Sequence, residues 1–262
     1  MNLAISPKKV VRVLILAVLL LTLAGLVVGY IQIFWGSKGL LESLNVLRLT
    51  NDNSIPTWYS SFALLLCSIL LAVIAVAKRR YGERWIAHWG VLSGIFLLLS
   101  IDEVARIHET VGNFVGSAVA KSVGFTSSAL IYNPWVVPGM VFVLIVLLAC
   151  LRFLAYLPRR TMLFFLLAGG LFVAGAIGTE MLGSILDSEV HESVDRMQHA
   201  PYSAQLTYEI LVAIEEFLEM LGLVVFIYAL LSYISSYLKE AATVQIRIDD
   251  EHRREVQMKS RA

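Results

Sequence analysis

Five ionisable residues, Asp102, Glu103, Arg106, His108 and Glu109, are crowded into the stretch SIDEVARIHE, which closes an apolar run beginning at Ile86. Ionisable groups at membrane depth are costly to keep there and mark functional sites. A second acidic stretch, YEILVAIEEFLEMLG, carries Glu209, Glu215, Glu216 and Glu219, and Glu180 lies near the end of another apolar block. The adjacent His108 and Glu109, together with the EExxE spelling of 215–219, suit oxygen-rich coordination of a divalent metal ion such as zinc, manganese, iron, calcium or magnesium. The expected ligands are Asp102, His108, Glu109, Glu180, Glu216 and Glu219. Glu103, Glu215 and Arg106 are the expected catalytic groups, with a spare carboxylate as general base.

A further stripe lies in LDSEVHESVDRMQHAP, where Asp187, His191, Asp195 and His199 recur every four residues. On a helix that spacing places His191 and His199 as two ligands on one face, as in HExxH sites. The plainer reading of the same stripe is a solvated helix face. His108 likewise reads either as an interfacial hydrogen-bonded residue or as part of the site. His88, beside Trp85 and Trp89, reads as an interface anchor.

Charge balance sharpens the expectation. Asp102 and Arg106 stand at i,i+4 with the acid first, the favourable order for a pair within one helix. Arg106 is the one fixed cation expected near these acids, so the other carboxylates must meet water, protons or a cation. Other chemistries are not spelled out. Glu-x-x-His, the di-iron bundle signature, is missing from the helices that hold Asp102 and Glu216. HExxH, Walker and GxSxG motifs are absent. Ser100 lies beside the acids, with no base assigned to it.

The elements that must position these residues are membrane helices. The chain has 262 residues, 58% hydrophobic and only 16% charged, with a mean hydropathy of +0.76. The excess is concentrated in six continuous blocks, 11–35, 58–77, 86–109, 135–157, 162–186 and 206–238. Each reaches the roughly 20 residues that cross a bilayer as a helix, and none alternates as a β-barrel strand would. The sequence therefore predicts an all-α, polytopic membrane protein, a bundle of six transmembrane helices over 1–238 followed by a charged cytoplasmic tail, 239–262. Plasma, inner or thylakoid-type membranes fit equally well.

Basic residues set the orientation. Lys8, Lys9, Arg12, Lys78, Arg79, Arg80, Arg84, Arg159, Arg160 and Lys239 fall on one side, whereas the alternate loops hold only Lys38, Arg48, Lys121 and Arg196. Both termini are expected in the cytoplasm. At 1.5 Å per residue, Asp102 is then about 25 Å, and Glu180 and Glu219 about 27 Å, from the cytoplasmic ends of their helices. All three share a level near the outer edge of the bilayer. Asp102, Arg106 and Glu109 form one stripe, and Glu209, Glu216 and Glu219 another. Gly170, Ala174 and Gly178 offer a small-residue face for close helix approach, which brings Glu180 toward the other acids.

Other features are quieter. A net charge of +1 points to no nucleic acid. The N-terminal apolar run is too long for a signal-peptide core and reads as an uncleaved first helix. LLESLNVLRL reads as a loop helix covering the bundle, and Cys67 and Cys150 as packed thiols. No internal repeat is visible. The functional expectation is a membrane-embedded metal site with hydrolytic or redox chemistry on a lipid-like or external small-molecule substrate. Its alternatives are a proton- or cation-coupled transporter and a non-enzymatic assembly protein.

Overall fold

The computed structural model describes residues 6–36, 38–51, 53–80, 82–123, 135–179, 181 and 202–259. Among these the protein is helical, with no strand. The helices are α1 (Pro7–Trp35), the short α2 (Leu40–Ser43) running into a 3-10 turn (Leu44–Leu47), α3 (Ile55–Arg80), α4 (Ile86–Ala105), α5 (Ile107–Val123), α6 (Val136–Tyr156), α7 (Arg159–Val173) and α8 (Tyr202–Lys259). A π-helical turn, Ala174–Thr179, continues α7.

Five of these segments are long and apolar enough to cross a membrane: α1, α3, α4, α6 and α7 with its π turn. This is consistent with an integral membrane protein. The apolar block at 206–238 belongs to α8, and it forms the axis of the bundle. α7, α1 and α3 all pack against it, and Met220, Leu223, Val224, Ile227 and Leu230 are among its buried side chains. With no proline and a single glycine from Tyr202 to Lys259, nothing interrupts the helix at 238. It runs on to Lys259.

Close packing depends on small residues. A Cβ at Gly222 of α8 would lie 2.9 Å from the Ala168 carbonyl oxygen and from the Phe172 nitrogen of α7. A Cβ at Gly175, in the π turn, would lie 2.8 Å from Glu219 Cγ and 2.9 Å from the Glu215 carbonyl oxygen. The close approach of these two helices thus runs through Gly175 and Gly222. Gly170 and Gly178, expected to form that face, have nothing within 4 Å of a built Cβ; the face that packs runs through Ala168, Phe172 and Gly175, at i, i+4 and i+7. Gly222→Val is therefore expected to destabilise the protein by about 1–3 kcal/mol through overpacking, and Gly170→Val to leave it nearly unchanged. Thermal unfolding in detergent checks the contrast.

α3 and α4 are joined by two reciprocal serine pairs one heptad apart. Ser61 Oγ donates to the Ser100 carbonyl (2.8 Å) and Ser100 Oγ to that of Ser61 (2.9 Å). Ser68 and Ser93 repeat the exchange at 2.8 and 2.9 Å. Ser100, beside the predicted acids, is thus tied into helix packing. At the opposite end, buried Trp89 packs edge-on to Phe153 and Phe165. Lys78, only 3% exposed, pairs with Glu83, and the Tyr237 hydroxyl donates to Glu83 at 2.7 Å. His88 sits against Trp85 and Phe153 as an aromatic anchor. Both cysteines are free thiols.

Candidate functional site

The SIDEVARIHE stretch does not form one helix. α4 ends at Ala105, Arg106 adopts a left-handed conformation (φ 52°, ψ 39°), and α5 begins at Ile107. For a residue with a side chain this geometry costs on the order of 1–3 kcal/mol and persists only where its surroundings impose it. Here they do. The Arg106 N–H closes the end of α4 on the Asp102 carbonyl at 2.7 Å. The Asp102 side chain then reaches across the break and accepts from the His108 backbone N–H through Oδ1 (2.7 Å), capping the first turn of α5 as an N-cap carboxylate does. Its other oxygen, Oδ2, lies 2.6 Å from His108 Nδ1. Arg106 turns to Glu109 instead, with Nε donating to Oε1 at 2.9 Å and Nη2 pairing with Oε2.

Two sequence expectations are corrected by this break. Asp102 does not pair with Arg106, and Asp102, Arg106 and Glu109 do not share a helical stripe, because a left-handed residue between them changes the direction of the chain. The contacts of the expected ligands Asp102, His108 and Glu109 are set by the same break. Both oxygens of Asp102 are engaged by His108, and both oxygens of Glu109 face the Arg106 guanidinium. Among the described residues, no three His, Cys, Asp or Glu side chains are grouped so as to hold a metal ion. His108 Nε2, 4.0 Å from Glu109 Oε1, is the coordinating atom these contacts leave over.

The imidazole is oriented from two sides. Asp102, an acceptor only, fixes the proton of a neutral ring on Nδ1, so Nε2 carries the exchangeable lone pair. Trp135 packs edge-on to the ring, with centroids 4.9 Å apart. Gly112 permits that contact, since a Cβ there would come within 2.6 Å of Trp135 Cβ. Burial by itself would lower the pKa of His108. The Asp102 carboxylate outweighs it, helped by Glu109 and Glu103, and holds the imidazole above its ordinary value. The arrangement can take up a proton at Nε2 and store the charge against Asp102.

The remaining predicted residues divide by element. Glu103 lies on the last turn of α4, partly buried, in the field of Asp102 and His108. Glu215 and Glu219 lie on α8 where Gly175 of the π turn meets it, with Glu216 partly buried between them. Glu180, His191 and His199 lie outside the described residues, as do Asp187 and Asp195.

One ionic contact escaped the sequence reading. Glu209, 2% exposed, is paired with Arg48 from the first loop, whose Nε donates to Oε1 at 3.0 Å. A Cβ at Gly29 of α1 would lie 2.5 Å from Glu209 Oε2, so the carboxylate occupies the space glycine leaves. Leu49 packs in the same way against Gly25, and Gln32 Nε2 holds the loop through Leu41 O and Asn45 Oδ1, both at 2.9 Å. The loop covers the bundle as expected, and Arg48 supplies a second fixed cation. The signal was present in GLVVG, a GxxxG spelling that marks close approach in membrane helices, combined with a lone arginine in a loop facing surplus acids.

Residues 13–234 match the model of the family described as "Domain of unknown function (DUF8692)". The chain belongs to that family. No curated protein and no solved structure matches it. The part shared with the family holds Asp102, His108 and the Arg48–Glu209 pair, and it stops at Ile234, before the final stretch of α8.

Proposed function

We propose that the protein is an integral membrane protein with six spans and cytoplasmic termini, whose Asp102–His108 pair is an acid–base site at the outer end of the bundle. The observation that supports this most is the double hold of Asp102 on His108 across the left-handed Arg106, which leaves Nε2 to accept and return a proton. A histidine whose second nitrogen is fixed by a carboxylate is the arrangement a general base requires. The substrate is lipid-like, or a small molecule meeting the membrane from outside, because the pair ends a membrane-length helix. Glu103 is a proton reserve beside it. The sixth span is the 206–238 part of α8, enclosed by the other helices.

Proteoliposomes of defined lipids test the reading. A lipid product should accumulate with the wild-type protein and be absent with His108→Ala and Asp102→Asn, followed by mass spectrometry. An unchanged lipid profile together with His108-dependent acidification of pyranine-loaded vesicles would replace catalysis by proton-coupled transport.

A second reading keeps the divalent metal. It is favoured by the Asp102–His108 contact itself, since metal-bound histidines characteristically donate their other nitrogen to a carboxylate, and by Glu109 Oε1 lying 4.0 Å from Nε2. Glu109 would have to leave Arg106 to join such a site. Elemental analysis of protein purified without chelator separates the two readings: near-stoichiometric metal that disappears in His108→Ala supports the metal, and its absence from both supports the acid–base pair.

A further inference from the structure

α5 presents an apolar stripe to the outside. Ile107, Val111, Phe114 and Val115, at i, i+4, i+7 and i+8, are 40–78% exposed, and Phe114 at 78% is the most exposed large apolar side chain among the described residues. The face that packs is a different one: His108 and Glu109 are half-buried, and Gly112 is buried against Trp135 and Pro138 of the α6 start. The helix therefore separates a face that packs from an apolar face that does not.

The helix is not among the five segments able to span a membrane, yet a single residue, Arg106, separates it from one that is. On α4, too, apolar side chains face outward: Leu97, Leu98, Ile101 and Val104 are 38–67% exposed. Exposed apolar side chains grouped in this way mark an interaction surface. A second copy of the chain is a poor occupant, since four side chains on one short helix fall well below the roughly 1,000 Å² of a stable interface. Acyl chains, which already meet the adjoining surface of α4 in any membrane placement of that helix, need no such area.

We propose that α5 is an interfacial membrane helix, its Ile107–Val111–Phe114–Val115 stripe buried among lipid acyl chains. The break at Arg106 turns the chain from a spanning helix into this one, and sets the Asp102–His108 pair at headgroup level. The assignment concerns lipid contact and holds whether or not His108 works as a base.

Site-directed spin labels test it in the full chain, reconstituted in phosphatidylcholine–phosphatidylglycerol vesicles. Fully buried Cys67 is left in place and Cys150 is replaced by alanine. Labels at Val111→Cys, Phe114→Cys and Val115→Cys should collide several-fold more with oxygen, and several-fold less with a water-soluble nickel chelate, than one at Lys38→Cys, exposed in the loop after α1. Equal nickel access at Phe114 and Lys38 would place the stripe in water and overturn the proposal. Dipolar broadening between copies at Phe114 would overturn it in favour of a dimer. As a second readout, brominated-chain lipids should quench the emission added by Phe114→Trp, and unquenched emission would count against lipid contact.

Discussion

Arg48→Ala will cost about 3–5 kcal/mol of stability, the penalty for leaving a buried charge without its partner. Glu209 is 2% exposed, wedged against Gly29 and held by Arg48 from a loop 161 residues away in sequence. Removing the guanidinium leaves the buried carboxylate without this partner. Removing both charges is a different experiment, because replacing a buried pair by apolar groups is often neutral. Arg48→Met combined with Glu209→Leu is thus expected to recover most of the loss. Gly29→Val should resemble Arg48→Ala, since its side chain would enter the carboxylate's space. Unfolding of the purified protein in mixed micelles gives the ranking. Arg48→Ala within about 0.5 kcal/mol of wild type, the level of an exposed ion pair, would show that the pair carries no such weight.

Asp102→Asn will move the titration of His108 downward through the ordinary histidine range. In the wild type Asp102 raises the imidazole pKa against the opposing pull of burial, with Glu109 and Glu103 as lesser contributors. Asparagine keeps much of the shape and loses the charge, so burial should dominate and the ring should deprotonate at lower pH than a free histidine. NMR of ring-labelled histidine in the purified protein, compared with His108→Ala for assignment, reads both values. The sign for stability follows. A pKa raised by folding adds stability that is fully present below the unfolded-state value and is lost as pH rises through the folded one. The wild type should therefore lose this increment on the alkaline side of the ordinary histidine pKa, and Asp102→Asn should lack it at every pH. An unchanged His108 titration in Asp102→Asn would sink the pair as the basis of the site.

Much of this architecture is legible in residue order. Apolar blocks of membrane length dictate helices, because no other open structure satisfies backbone polar groups in lipid. What spacing misjudged was direction. The i,i+4 rule that joins Asp102 to Arg106 assumes an unbroken helix, and one left-handed residue hands Asp102 to His108 and Arg106 to Glu109. In α7 the face that packs runs through Ala168, Phe172 and Gly175 and not through Gly170 and Gly178.

By itself, then, the sequence determined the helical class, the apolar segments of membrane length and the crowding of titratable groups at the end of α4, since these depend on composition and on distance along one chain. Only the tertiary structure decided which partner each charge has. Arg48 reaches Glu209 across three elements, α1 yields the space through Gly25 and Gly29, and Asp102 closes on a histidine six positions away. Pairing of this kind depends on through-space distances of a few ångströms, set by a single backbone torsion at Arg106 and by missing side chains at glycines, and neither is encoded in any local period of the sequence.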